Sequence, residues 1–151
     1  MLALIQRVSE ARVEVNGTVV DSIGKGVLVF LCVLKGDREE DLDYTARKVA
    51  NLRIFEDTEG RMNHSLIDLG LEALVVSQFT LAARTRKGNR PSFDDAEAPE
   101  RARQMYEAFV SKLNNLGIKT AQGVFGAMMK VHLINDGPVT IMVDSREKRR
   151  S

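Results

Sequence analysis

The eight consecutive apolar residues at positions 27–34, Val-Leu-Val-Phe-Leu-Cys-Val-Leu, most constrain how this chain folds. A strand made of them has no polar face, so it must be covered on both sides. The run falls far short of the ~20 residues that cross a bilayer as a helix. A layered domain therefore has to assemble around it. At 151 residues the chain is long enough for one such domain with a core that needs neither disulfides nor metal.

The flanking segments read as the covering material. Residues 2–8 and 11–15 are predicted strands, the second alternating Val13 and Val15 against Arg12 and Glu14. Asn16-Gly17 then gives a two-residue hairpin signal, because both central positions of a type I′ turn need positive φ. Residues 18–23 return as the partner strand. Asp37, with Glu40 three residues on, has the form of a capping box. The helix it opens carries Leu42, Ala46, Val49 and Leu52 at helical spacing. Residues 54–55 form a short strand, 57–60 a turn, and 71–81 a long strand that begins apolar and ends polar. A second helix starts near Pro99, with Ala102, Met105, Tyr106, Phe109, Val110 and Leu113 as its stripe and Gly117 as its stop. Residues 118–120, 129–134 and 139–143 are further strands, the last two joined through Asn135-Asp136-Gly137-Pro138. The expected fold is a single α/β domain over residues 1–151, with mainly antiparallel or mixed sheet layers and two main helices. Its basic tail, residues 146–151, is expected to fray.

Apolar residues make up 44% and charged residues 28%, which leaves no compositional case for disorder. The formal net charge of +1 permits a small footprint on an RNA end and argues against wrapping a nucleic-acid duplex such as DNA. Cys32 is the only cysteine, so no intrachain disulfide forms and a reducing, cytoplasmic location is expected. Within its apolar run Cys32 reads as a small buried thiol. The start of the sequence shows no signal-peptide pattern, and no membrane association is expected.

Much familiar chemistry is missing. His64 and His132 are the only histidines, one in a predicted loop and one on a half-buried sheet face. No cluster has metal-ligand spacing, and neither a G-x-S-x-G elbow nor a phosphate-cradling glycine loop is present. No metal or cofactor is expected. Two segments remain. Ser77-Gln78-Phe79-Thr80 sits at the polar end of an apolar strand, where a scaffold can fix side chains that solvent still reaches. The same side chains would equally well satisfy backbone groups at the strand exit. Asn135-Asp136-Gly137-Pro138-Val139-Thr140 reads by spacing as a hairpin turn, and a cis Gly137-Pro138 bond carries a prior of only ~5–6%.

Taken together and in order, several short segments resemble the D-aminoacyl-tRNA deacylase family. They are Gln6-Arg7-Val8, Ala11-Arg12-Val13, Ser77-Gln78-Phe79-Thr80-Leu81, Lys87-Gly88-Asn89-Arg90-Pro91-Ser92-Phe93, Phe125-Gly126-Ala127 and residues 135–140. The resemblance implies an esterase that removes D-amino acids, and misplaced glycine, from the 3′ end of tRNA. It implies a homodimer in which the Gly137-Pro138 turn of one subunit, following a cis bond, enters the pocket of the other. Arg7 would hold that turn, which acts as a chiral filter. Ser77, Gln78, Phe79 and Thr80 would form the catalytic segment, and Ala102, Phe125 and Met129 would line the adenosine pocket. Two routes are compatible with it: water activated by the tRNA 2′-hydroxyl, or Thr80 as nucleophile. The first is favoured because no base for Thr80 is identifiable. A non-catalytic RNA-end binding module and a general small-ester hydrolase are the alternatives. Arg84, Arg86, Lys87 and Arg90 read as a solvated basic loop, with contact to the acceptor-stem phosphates as the functional alternative.

Overall fold

The computed structural model describes residues 1–150. Eight strands and three α-helices follow one another as β1 (Leu2–Val15), β2 (Thr18–Ile23), β3 (Gly26–Cys32), α1 (Glu39–Asn51), β4 (Phe55–Glu56), β5 (Met62–His64), α2 (Leu66–Leu69), β6 (Glu72–Ser77), α3 (Pro99–Asn115), β7 (Lys119–Gln122) and β8 (Lys130–Asp144). The main sheet runs β2-β1-β3-β6-β7, with β8 pairing along β1. β1 is antiparallel to β2, β3 and β8, whereas β3–β6 and β6–β7 are parallel, so the sheet is mixed.

The apolar run lies where its composition demands, in the middle of the sheet. Val27, Val29 and Leu31 face the core made with Leu42, Ala46 and Val49 of α1 and Met105, Tyr106 and Phe109 of α3. Leu28 faces the other way, onto Val8, Val13, Leu74 and Val76. The strand is thus buried on both sides, alternate positions serving the two layers. Gly26 begins it because a Cβ there would come within 1.9 Å of the Glu72 carbonyl on the parallel neighbour. Asn16 and Gly17 have φ of 51° and 78°, which makes the expected tight hairpin.

Several boundaries differ from the sequence reading. Residues 2–8 and 11–15 belong to one strand, β1, irregular in its pairing with β8 near Val8. The strands expected at 129–134 and 139–143 likewise form one strand, β8, which begins at Lys130, and Asn135-Asp136-Gly137-Pro138 is a bulge in it rather than a hairpin turn. β6 stops at Ser77, and residues 79–82 wind into a 3₁₀ turn. The N-cap of α1 is Arg38, whose N–H donates to Asp41. Asp37 is committed elsewhere: its carboxylate accepts from the Leu34 N–H at 2.8 Å and from the Met1 ammonium at 2.9 Å. Ser145–Arg150 close in a 3₁₀ turn where a frayed tail was expected, with Arg146 bound to Asp144. Ser151 lies outside the described residues.

Candidate active site

β6 carries Ala73, Leu74, Val75 and Val76 through the core and delivers Ser77 to the surface at its C-terminal end. Gln78 is anchored by its N–H to the Leu31 carbonyl at 2.8 Å, and the chain then turns. The first hydrogen bond of that turn runs from Leu81 N–H to the Gln78 carbonyl, so the Phe79 and Thr80 amides precede its bonded part. Such amides have no partner within the turn and are available to an oxygen placed before it. The Gln78 side-chain amide donates to Thr80 Oγ1, and no other side-chain bond reaches that hydroxyl among the described residues. Thr80 therefore has no base in contact with it.

Beside this strand end opens a cavity of about 750 Å³. Ser77, Gln78 and Phe79 line it together with Ala102, Phe125 and Met129, so six residues singled out in the sequence meet at one place. Thr80 is exposed just beyond Phe79 on the same turn. The Phe125 ring lies 5.9 Å from that of buried Tyr106 and 5.2 Å beneath the Arg103 guanidinium. Tyr106 is itself fixed, its hydroxyl donating to the Val75 carbonyl at 2.7 Å while burial pushes its pKa up. Met129 Sδ would stand 2.8 Å from a Cβ at Gly123, so the glycine makes room for the methionine.

The other wall was not anticipated from the sequence. Ala96 pairs with Leu34, Glu97 N–H donates to the Val33 carbonyl at 3.0 Å, and Lys35 N–H donates to the Asp95 carbonyl at 2.9 Å. This pairing brings Phe93, Ala96, Glu97 and Ala98 to the cavity rim, along with Lys35 and the first turn of α3. Phe93 meets Phe79 edge-on at 5.2 Å. The one advance signal was Pro99 at the start of a helix, which located the turn without showing what it faces. The Glu97 carboxyl is held below its usual range by the Ala98 N–H and then by Arg101, so it stands ionised at neutral pH.

Cys32 lies under the site, its sulfur 3.7 Å from the Phe79 carbonyl. Burial raises its pKa to about 11, against a smaller opposing effect of the Met1 ammonium. It is a packed thiol and not a nucleophile at neutral pH. His132 is half-buried on the β1–β8 face beside Arg12 and Glu14. Among the described residues no group of His, Cys, Asp and Glu could hold a metal ion.

Gly137 and Pro138 do not line this cavity. The peptide between them is cis, and both residues are exposed. Thr140 pairs with Gln6 and Asn135 with Val8, so residues 136–139 bulge out opposite Arg7. Arg7 is buried and ties the bulge down: Nε donates to the Asp136 carbonyl and Nη1 to the Ile54 carbonyl, each at 2.8 Å. Asn135 holds the far side, accepting from Val139 N–H at 2.8 Å and donating to Thr140 Oγ1 at 2.9 Å. Gly137 has φ of 138°, and a Cβ there would approach Arg7 Nη2 to 3.0 Å. The pairings Arg7–Val27 and Leu31–Ser77 set the distance to the cavity. Four residues along β3 and the three strand steps from β8 through β1 and β3 to β6 separate the bulge from Ser77, about 13 Å along the sheet and about 14 Å across it.

The family described as D-Tyr-tRNA(Tyr) deacylase matches residues 4–144. A D-aminoacyl-tRNA deacylase of Aquifex aeolicus (strain VF5) is 55% identical over 97% of this chain and 99% of its own length. One of Roseiflexus castenholzii (strain DSM 13941 / HLO8) is 59% identical over 96% of this chain and 92% of its own. Among solved structures, the c-Myc DNA Unwinding Element Binding Protein superposes with a TM-score of 0.91 at 41% identity, covering 95% of this chain and 98% of that one. A probable eukaryotic D-amino acid tRNA deacylase superposes with a TM-score of 0.80 at 20% identity, covering 94% and 97%, a likeness of fold.

Proposed function

The chain belongs to the D-Tyr-tRNA(Tyr) deacylase family, and on that premise we propose how its two separated segments act together. It is a hydrolase of this family, acting on D-aminoacyl-tRNA and releasing the amino acid and tRNA. In the reading proposed here, the cavity beside Ser77 receives the 3′-terminal adenosine, with Ala102, Phe125 and Met129 around the base. Gln78 and Phe79 position the ester. The amides of Phe79 and Thr80 stabilise the oxyanion, a contribution of ~2.7–4 kcal/mol per donor. The 2′-hydroxyl of the substrate orients water, since among the described residues the side-chain hydrogen bond to the Thr80 hydroxyl comes from the Gln78 amide, which is not a base.

The observation that carries the rest is the gap between cavity and bulge. Gly137 and Pro138 lie too far away to serve the pocket of their own chain, yet the bulge is exposed and held by buried Arg7. A second copy of the chain, presenting the same bulge from outside, completes the site. Its Gly137 and Pro138 carbonyls accept from the substrate's α-ammonium and so fix the Cα. An L side chain then collides with the bulge, while a D side chain, or the hydrogen of glycine, points into open space. Selection by exclusion leaves the side chain unread and serves many amino acids. Misplaced glycine on tRNA is cleaved for the same reason. Such an enzyme works in translation quality control in the cytoplasm.

Incubation with D-tyrosyl-tRNA tests the hydrolase, release of free D-tyrosine being the expected result. Binding without release would establish an RNA-end binding module instead, and equal rates on simple esters a general esterase. Two-fold mass in solution at the enzyme's working concentration tests the second copy, and a strictly monomeric active species would exclude it.

A further inference from the structure

Between the 3₁₀ turn at the catalytic segment and Phe93 on the cavity rim, the chain makes one excursion, residues 83–92. The excursion is pinned at its neck, where Arg84 N–H donates to the Ser92 carbonyl at 2.8 Å and Ser92 N–H returns to the Arg84 carbonyl at 3.0 Å. The Arg84 guanidinium is clamped on Asp95, so this cation belongs to the neck. Arg86, Lys87 and Arg90 are different. All three are exposed, and no carboxylate pairs with any of them among the described residues. Lys35, on the cavity wall, instead shares the rim with ionised Glu97, whose carboxyl it helps hold down. In a chain of net charge +1, the three unpaired loop cations are a local concentration rather than a share of a general excess.

Their position matters as much as their charge. Both ends of the excursion touch the cavity mouth, through Phe79 on one side and Phe93 on the other. Four residues separate the neck from the tip at Gly88, which limits the reach to at most about 13–14 Å at 3.3–3.6 Å per residue, and bends at residues 86–90 keep the cations inside that limit. A stacked nucleic-acid strand passes one phosphate per 3.4 Å, so that limit covers up to about four phosphates. We propose that Arg86, Lys87 and Arg90 form a phosphate-binding surface for the tRNA backbone leading to the 3′ end, within about four nucleotides of the residue in the cavity. The proposal rests on the deacylase reading for the location of that 3′ end. Contacts of this kind carry no sequence information. They therefore suit an enzyme that must accept one RNA end whichever amino acid it bears.

The test replaces the three cations together, as R86Q, K87Q and R90Q, and leaves Arg84 to hold the neck. Filter binding of uncharged tRNA is followed from 50 to 200 mM KCl. Three phosphate contacts contribute about 2–3 to the slope of log affinity against log salt. The wild type should lose about 20–40-fold more affinity over that range than the variant does. Hydrolysis of D-tyrosyl-adenosine, which has no upstream phosphate, should be unchanged and reports that the variant is folded. An unaltered salt slope overturns the proposal. So does an equal defect on D-tyrosyl-adenosine, because the loop would then act on the cavity itself. The binding arm needs no catalysis, so a flattened slope in a chain that cleaves neither substrate would refute the hydrolase and keep the RNA surface.

Discussion

Replacing Arg7 by alanine removes the buried side chain that hydrogen-bonds the exposed bulge, at the Asp136 carbonyl, to the body of the domain. The guanidinium is buried and makes two hydrogen bonds of 2.8 Å, to the Asp136 and Ile54 carbonyls. Hydrogen bonds from a charged group contribute ~1.5–3 kcal/mol each. The Glu56 partner, 3.7 Å away and largely exposed, adds little. Because the Asp136 bond is only partly buried, the lower half of the summed range is appropriate, about 3–4 kcal/mol. With a urea m value of about 1.5–2 kcal/mol/M, the unfolding midpoint should fall by about 2 M at fixed protein concentration. Arg7→Lys keeps the charge but not the two-pronged geometry, and should lose about half as much. The functional consequence is more specific. A loosened bulge no longer excludes the L side chain, so the ratio of D- to L-tyrosyl-tRNA hydrolysis should drop at temperatures where the variant remains folded. A midpoint lowered by less than about 0.5 M, with D/L discrimination intact, would refute the reasoning at both levels.

Thr80→Ala should retain most of the D-tyrosyl-tRNA hydrolysis rate, whereas complete loss with an unchanged melting curve would make Thr80 the nucleophile. Substrate ending in 2′-deoxyadenosine should be cleaved poorly, and full activity on it would remove the RNA-assisted route. Cys32, with its pKa raised from 9.0 to about 11, stays protonated in the fold after the unfolded chain has ionised. Its stabilising contribution is therefore complete below pH 9 and lost as pH rises toward 11. Cys32→Ala should flatten the decline of stability over that window in pH-dependent urea melts, and an unchanged decline would contradict the assignment.

How far the fold could be read in advance depended on whether the deciding interaction was local. The apolar run at residues 27–34, the Asn16-Gly17 hairpin and the stripes of α1 and α3 carry their own signals, and all were legible. The bulge at residues 136–139 was not. Asn, Asp, Gly and Pro in succession suit a hairpin and a bulge equally, and only the register against β1, more than a hundred residues earlier in the chain, decides between them. Asp37 illustrates the same limit: by spacing it is a helix cap, but the Met1 ammonium and Leu34 N–H claim its carboxylate. Six of the residues proposed for the site converge on one cavity, and family resemblance selected them where periodicity could not. The wall formed by residues 95–98 escaped notice because its pairing with residues 33–35 is long-range and leaves no local pattern.

The central claim is that an enzyme without a strong base obtains its selectivity from a rigid bulge that rejects one hand of the substrate. Parallel time courses on D- and L-tyrosyl-tRNA under identical conditions test it most directly. The account predicts at least a hundredfold preference for the D substrate, equivalent to ~2.7 kcal/mol. Hydrolysis of the two isomers at similar rates would contradict it.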